Sequence, residues 1–221
     1  MTIYIPLDME TVLAAPSPLP ASPCTPAKGR PREFCTDAAL AAALRVFWAK
    51  GYDAASLTDL TEAMGITRPS LYAAFGNKEA LFHKALDLYE AEKLAYMRGA
   101  LDQPTARGVA EYLLRGALDA QTGRGEPHGC MGVINSMACG PEAQSIRDAL
   151  LARRASSQAA LTERFARARD EGDLPPHIDP VGLTSYLFAL FLGMSVQAGA
   201  GATREDLALL VETSLAVWPG R

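Results

Sequence analysis

The 221-residue sequence predicts an all-α fold on three observations. Apolar residues recur three and four positions apart through most of the chain after residue 36, which is the repeat of a helix with one buried face. The period-two alternation that is typical of half-buried strands is nowhere sustained. Ser, Thr or Asn precedes several apolar runs, and Gly or Pro follows them, as expected at the starts and ends of helices.

The N-terminal segment differs in composition from the rest of the chain. Residues 1–27 hold six of the fifteen prolines and no Lys or Arg. Such a segment has polyproline character, so we predict a flexible arm over residues 1–29. Without basic residues ahead of a compact apolar stretch, the segment does not resemble a signal peptide.

The first predicted helix begins near Thr36, which can cap it, and ends at Gly51. Its apolar stripe falls at positions i, i+4, i+7 and i+8 and consists of Leu40, Leu44, Phe47 and Trp48. A fourth helix is predicted to start after Asn77, and its apolar face includes Leu81, Leu88 and Tyr89.

Between them, the sequence predicts two short helices joined by a tight turn. Ser56 and Asp59 resemble a capping box at the start of the second helix. Thr67 can cap the third helix, which has Pro69 in its first turn. Gly65 in the turn lets the two helices cross at the wide angle of a helix-turn-helix, which leaves the third helix facing outward.

The distribution of charge agrees with this placement. The formal net charge of -4 argues, as an average, against binding to nucleic acid. Residues 28–84, however, contain eight Lys or Arg against six Asp or Glu, a net charge of +2. Residues 1–27 carry -2 and residues 85–221 carry -4, so positive charge is concentrated around the predicted helix-turn-helix.

Residues 58–72 read TDLTEAMGITRPSLY, and AAF and GNKEALF follow directly. In this stretch the sequence resembles the TetR family of bacterial transcriptional regulators, over about residues 30–85, with Thr61 where the family often has Ala. The resemblance implies a three-helix helix-turn-helix DNA-binding domain over residues 30–84. It also implies a helical ligand-binding and dimerisation domain over residues 85–221.

The resemblance further implies a cytoplasmic homodimer that binds a palindromic operator on double-stranded DNA. Such a regulator is most often a repressor and is released by a small-molecule effector. It is not an enzyme, needs no cofactor and does not enter a membrane. A DNA-binding module whose body serves only dimerisation, without any ligand, is the alternative within the same class.

The resemblance assigns the DNA contacts to residues around the helix-turn-helix. Arg68 is the best candidate for a base edge, because Arg can bond guanine through two hydrogen bonds. Phosphate, base or minor-groove contacts are assigned to Arg30, Arg32, Ser56, Thr58, Thr67, Pro69, Ser70, Tyr72 and Lys78. In the simpler alternative, Ser56 and Thr67 are only helix caps, Tyr72 is a packed aromatic residue and Lys78 is a solvated charge.

Longer helices are predicted over about 105–120, 129–138, 141–172, 179–198 and 203–218. The last has an apolar stripe that consists of Leu207, Leu210, Val211, Leu215 and Trp218. Together with the apolar 181–196 stretch, this exceeds what one chain needs to bury, and we predict a four-helix interface between two chains. The alternative for the uncharged residues 180–203 is a membrane span, which their polar side chains and glycine-rich end disfavour.

An effector site is predicted in the middle of the second domain, around the uncharged residues 129–139. The candidate ligand-binding residues are Tyr112, Cys130, Met131, Asn135, Phe188, Phe191 and Met194. Ordinary core packing is the alternative for each of them, because Met and Phe fill cores routinely.

The four cysteines, at positions 24, 35, 130 and 139, are too few and too widely spaced for a disulfide framework. There is no CxxC pair or Cys/His cluster, so we predict no metal site and a reduced, cytoplasmic protein. The alternative function is a thiol- or metal-responsive switch, or an α-helical enzyme, that uses Cys130 or Cys139. Neither cysteine has an evident base beside it in the sequence.

Overall fold

The computed structural model describes residues 34–138, 140 and 143–220. The predicted arm over 1–29, Arg30, Arg32 and Cys139 lie outside these described residues. The described residues form ten helices and no strand, which confirms the all-α prediction. The helices are α1 (Thr36–Lys50), α2 (Leu57–Met64), α3 (Arg68–Phe75), α4 (Lys78–Lys93), α5 (Tyr96–Leu101), α6 (Ala106–Gln121), α7 (Met131–Ala138), α8 (Gln144–Asp170), α9 (Pro180–Gly199) and α10 (Arg204–Ala216).

Helices α1 to α4 share an aromatic core. The Phe47 and Phe82 rings meet edge to face with centroids 5.1 Å apart, and Trp48 and Tyr89 do so at 5.0 Å. Such contacts stabilise the fold by more than the burial of the same apolar area alone would. Leu60, Leu71 and Leu81 are fully buried beside these rings, so α2 and α3 are held against α1 and α4 by their inner faces.

The predicted caps are present at the starts of α2, α3 and α4. The hydroxyls of Ser56 and Thr67 accept from the backbone of Asp59 and Ser70, and the Asn77 amide oxygen accepts from Ala80. Asp59 completes the capping box by accepting from the Ser56 backbone N–H at 2.9 Å. Gly65 adopts a φ of 65°, which permits the sharp turn from α2 to α3.

The second core lies among α6, α8, α9 and α10, with Phe165 and Trp218 in contact at its centre. Helix α5 packs on α6 through an aromatic contact with a glycine. The Tyr96 ring lies directly over Gly116, where a Cβ atom would overlap it. The sequence did not predict α5, because it has only six residues and no side chain caps its start.

Among the described residues, α9 is the one helix that is long and apolar enough to cross a membrane by length and composition. It packs against α6, α8 and α10, and Leu183, Leu187, Met194 and Ala198 on its inner side are buried. Core packing on this side therefore accounts for much of its apolar composition.

Helix α7 connects the two groups of helices. It packs against α1 and α4 on one side and against α8 and α9 on the other. The predicted helices over 129–138 and 141–172 correspond to α7 and α8, each of which starts two or three residues later than predicted. The position of α7 makes it the physical link between the helix-turn-helix and the body.

Candidate DNA-binding surface and effector cavity

The outer side of α2 and α3 carries most of the predicted DNA-binding residues. Leu60, Leu71 and Phe75 bury the inner side of these helices. The predicted DNA-binding residues that are exposed are Ser56, Thr58, Thr67, Arg68, Pro69 and Tyr72. Tyr72 is 47% exposed, so it is not a packed core aromatic, and Ser70 is partly buried.

Arg68 lies across the two helices of the helix-turn-helix. Its Nη2 donates to the Thr58 Oγ1 at 2.9 Å. No ion pair with a carboxylate is formed by Arg68 within the described part of the chain. The guanidinium thus keeps its charge available on an exposed surface, at the start of the helix predicted to enter the major groove.

Ser56 and Thr67 are helix caps, as the simpler alternative has it. The Thr67 hydroxyl also lies 2.9 Å from the Ser70 hydroxyl. A cap occupies only one of the N–H groups that a first helical turn leaves unpaired. Contact of these residues with phosphate therefore stays a prediction beside their observed structural role.

Lys78 is more than a solvated charge. Its Nζ lies 4.5 Å from the centroid of the Tyr52 ring, in a cation–π contact. Partial burial lowers the pKa of Lys78, and the nearby Asp53 carboxylate opposes this shift. The contact holds the ammonium group at the N-terminus of α4, where backbone N–H groups also favour an anion.

The body contains a cavity of about 450 Å³ between α4, α5, α6, α8 and α9. A smaller cavity of about 100 Å³ adjoins it toward α7. The two share the lining residues Glu90, Leu94, Met97, Arg153, Ser157, Phe188 and Phe191. A cavity of this size with a mostly apolar wall is typical of a small-molecule site.

The predicted ligand-binding residues separate into two groups. Phe188 and Phe191 line both cavities, and Cys130 lines the smaller one. The structure places the other four outside the cavity walls. Tyr112 is 42% exposed and its ring lies against Gly99 of α5, and Met131 and Met194 are fully buried. Asn135 is also fully buried, and its amide has protein partners. Residue type did not indicate which side of its helix each of these side chains faces.

Asn135 has a structural role that the sequence did not reveal. Its Oδ1 accepts from the Tyr52 backbone N–H at 2.6 Å, and its Nδ2 donates to the Met131 carbonyl at 2.8 Å. The Trp48 indole also donates to the Gly129 carbonyl at 3.0 Å. These buried bonds connect α7 and the residue before Cys130 directly to α1.

The opposite side of the same segment is bonded to α9. The Cys130 backbone N–H donates to the Ser195 hydroxyl at 2.7 Å. Gly129 has a φ of 84°, and a Cβ there would lie 2.9 Å from the Ser195 carbonyl oxygen. The single peptide group between residues 129 and 130 therefore joins α1 and α9, its carbonyl bonded to one helix and its N–H to the other.

Burial raises the pKa of the Cys130 thiol. A protonated thiol is a poor nucleophile and a poor metal ligand, which weighs against the thiol and metal alternatives for this residue. Within residues 34–138, 140 and 143–220, no group of three or more His, Cys, Asp or Glu side chains can hold a metal ion.

The cavity has polar wall residues that the sequence did not single out. Arg153 donates to Glu90 at 2.6 Å and to Asp87 at 2.7 Å. The hydroxyls of Tyr89 and Tyr96 are buried near the cavities, and burial raises the pKa of both. Sequence periodicity marked Tyr89 only as part of an apolar face, because it does not report where a terminal hydroxyl lies.

Two family models match this chain. Residues 39–85 match the bacterial regulatory proteins of the tetR family, and residues 110–212 match the tetracyclin repressor-like C-terminal domain. The chain belongs to the TetR family. This TetR-family member has the predicted architecture, an N-terminal helix-turn-helix DNA-binding domain followed by a helical domain, and is a transcriptional regulator.

Curated relatives in Escherichia coli (strain K12) include the HTH-type transcriptional repressor ComR. It is 35% identical over 195 residues, covering 87% of this chain and 92% of ComR. The HTH-type transcriptional repressor BdcR is 30% identical over 181 residues, covering 81% of this chain and 86% of BdcR.

A solved structure also matches. It is a cysteine mutant of the TetR family transcriptional regulator CifR, complexed with 26bp double-strand operator DNA. It shares 43% identity with this TetR-family chain at a TM-score of 0.81, covering 86% of this chain and all of CifR.

Proposed function

We propose that this TetR-family regulator is a repressor that binds a palindromic DNA operator as a homodimer and is released by a small-molecule effector. The observation that carries the proposal is the exposed α2–α3 surface around Arg68, on a fold whose relative CifR is solved on operator DNA. The repressor names of ComR and BdcR support the direction of control. Such a protein works in the cytoplasm, where it reaches DNA, and needs no catalytic residue.

The recognition helix is α3. Arg68 reads a base edge, with Pro69 and Ser70 beside it, and Tyr72 contacts the phosphate backbone. Ser56, Thr58, Thr67 and Lys78 add contacts to phosphates from the starts of α2, α3 and α4. Arg30 and Arg32 stay predicted contacts ahead of α1, to the backbone or the minor groove.

The homodimer is formed by α9 and α10. Their outward sides expose large apolar side chains, namely Val181, Tyr186, Val196, Leu209 and Val217. Leu209 and Val217 are 69% and 68% exposed, which is costly unless a partner covers them. Ala189 and Gly193 on the same side of α9 are small enough for a second helix to approach closely.

The effector binds in the joined cavities, and α7 transmits its effect. One side of α7 contributes Gly132, Val133 and Ser136 to the smaller cavity, while Asn135 bonds the end of α1. A ligand that fits better when α7 is displaced shifts α1 and its attached α3. The ligand therefore favours the arrangement in which the two recognition helices no longer match successive major grooves.

Selection of bound duplexes from a random DNA pool by the purified full-length protein tests the proposal. We expect enrichment of a palindrome whose half-site centres lie about one helical turn apart, with one dimer bound per selected site. Enrichment of no sequence, or of a single unrepeated site bound by one chain, contradicts the homodimeric operator.

A further inference from the structure

Two tyrosine hydroxyls are buried at the junction of the two cavities without a partner. The hydroxyls of Tyr89 and Tyr96 make no hydrogen bond within the described residues. Tyr96 lines the larger cavity, while Tyr89 lines the smaller one together with Cys130. Cys130 adds to the effect of burial in raising the pKa of both tyrosines, which places all three groups close together. The Cys130 thiol and the Met131 backbone lie close enough to the Tyr89 hydroxyl to shift its pKa, but neither meets it in the geometry of a hydrogen bond.

The Tyr96 hydroxyl is held in this position by the packing of α5 on α6. The Tyr96 ring lies against Gly116 so closely that a Cβ there would overlap it. The ring therefore has little freedom to turn its hydroxyl toward solvent. Native proteins rarely leave two buried hydroxyls unpaired in one place, so the pair marks a position where a ligand oxygen belongs.

Arg153, the cation that lines both cavities, is already neutralised. Arg153 is bonded to Glu90 and Asp87, and the Arg154 guanidinium lies over the Phe188 ring. The remaining cation of the larger wall, Arg98, is exposed. A carboxylate or phosphate beside the tyrosines would lose its hydration, while the cation that lines both cavities is already paired with carboxylates.

We propose that the effector is a neutral, largely apolar molecule with a carbonyl or ether oxygen, to which Tyr89 and Tyr96 donate hydrogen bonds. Phe188, Phe191 and the neighbouring leucines enclose the apolar part of this molecule. The volume of about 450 Å³ suits a ligand of one to three rings. This inference rests on the proposed function, because it names the chemistry of the same effector site.

Three naphthalene probes of nearly equal size test the inference by calorimetric titration of the full-length protein. They are 2-acetylnaphthalene, which has a neutral oxygen acceptor, 2-ethylnaphthalene, which has none, and 2-naphthoate, which is an anion. We expect the ketone to bind most tightly. Tyr96→Phe and Tyr89→Phe should each weaken ketone binding roughly two- to tenfold, and leave 2-ethylnaphthalene binding unchanged.

Tyr112→Phe is the matched control, because it removes a tyrosine hydroxyl from α6, the helix on which α5 packs, and Tyr112 is outside both cavity walls. It should leave ketone binding unchanged. The unfolding midpoint without ligand checks the fold of each variant. Tyr96→Phe should not lower it, because no protein partner is lost; a clear decrease contradicts the unpaired hydroxyl.

Release of the operator is measured with the same three probes. The result distinguishes a failure of the proposed ligand class from a failure of the proposed regulation. Tightest binding by 2-naphthoate, equal binding of ketone and hydrocarbon, or binding of no probe overturns the neutral-acceptor inference and leaves operator binding standing. Tyrosine-dependent binding of the ketone without any change in operator affinity supports the ligand class and contradicts its role in regulation.

Discussion

Arg68 is the residue through which DNA recognition is tested most directly, since its side chain is exposed and, among the residues that the structure describes, its guanidinium bonds Thr58 alone. We expect Arg68→Ala to weaken binding to the selected operator by about 1–3 kcal/mol and to relax the preference at one base pair of each half-site. Fluorescence anisotropy with labelled operator and single-base variants measures both effects.

Arg147→Ala is the matched control for this prediction. Arg147 is exposed on α8, far along the chain from the helix-turn-helix, and its loss removes the same charge. It should leave operator affinity nearly unchanged. If Arg68→Ala binds the operator as tightly as the unmodified protein does, the prediction is wrong and other residues recognise the bases.

Asp59 ties the stability of the helix-turn-helix to pH. The hydrogen bond from Lys50 and then that from the Ser56 backbone lower the pKa of Asp59 from 3.8 to about 2. Because the folded pKa lies below the unfolded one, the stabilising effect is complete above about pH 4 and is lost as the pH falls toward 2.

Asp59→Asn therefore serves to measure this effect by urea unfolding at several pH values. The difference in free energy of unfolding between the two proteins should be constant from pH 7 to about pH 4.5 and shrink below it. A difference that stays constant down to pH 2.5 contradicts the assignment of the low pKa to this carboxyl group.

At the scale of an element, α7 links the helix-turn-helix to the body. Removing its hydrogen bonds should therefore change both the stability of the protein and its affinity for the operator. Asn135→Ala leaves the Tyr52 N–H without its buried acceptor and should cost about 1–3 kcal/mol of unfolding free energy. It should also weaken operator binding, because α1 loses a bond that positions it. Ser136→Ala on the same helix removes only a bond to the Val133 carbonyl and is the control.

Unfolding curves and operator titrations on the same preparations decide this prediction. A variant that loses stability but binds the operator normally at a temperature where it is folded shows that α7 is structural and does not transmit an effector signal. Equal effects of Asn135→Ala and Ser136→Ala contradict the role of the α1–α7 bonds.

The elements show where sequence reasoning succeeds and where it ends. The caps at Ser56, Thr67 and Asn77 act within three or four residues, so the starts of α2, α3 and α4 were predictable to within a residue. Helix α5 has no side-chain cap and is held by Tyr96 on Gly116, twenty positions away. Contacts at such separations leave no local pattern, and this helix was missed.

At the scale of the whole molecule, the proposed homodimer is tested at the exposed apolar side of α9 and α10. We expect Leu209→Asp to convert the dimer to a folded monomer, because it places a charge in a surface that the proposed partner buries. Sedimentation velocity measures the mass, and circular dichroism checks that the helices remain. Operator affinity should fall, since one chain contacts one half-site.

Leu151→Asp is the control for assembly, because Leu151 is an exposed leucine on α8, at 44% exposure. It should leave the dimer intact. If the Leu209→Asp variant stays dimeric, the proposed interface at α10 is wrong.

The sequence by itself determined the helical class, the helix-turn-helix with its caps and the family, because these depend on neighbouring residues and on one continuous motif. Only the tertiary structure decided which side of α9 is core and that Tyr112 and Met194 do not line the cavities. It also decided that two tyrosine hydroxyls are buried with no hydrogen-bond partner among the residues that it describes. Those properties depend on helices that are distant along the chain and meet only in the folded state. The physical reason is that periodicity reports whether a side chain is buried, whereas packing decides what it is buried against.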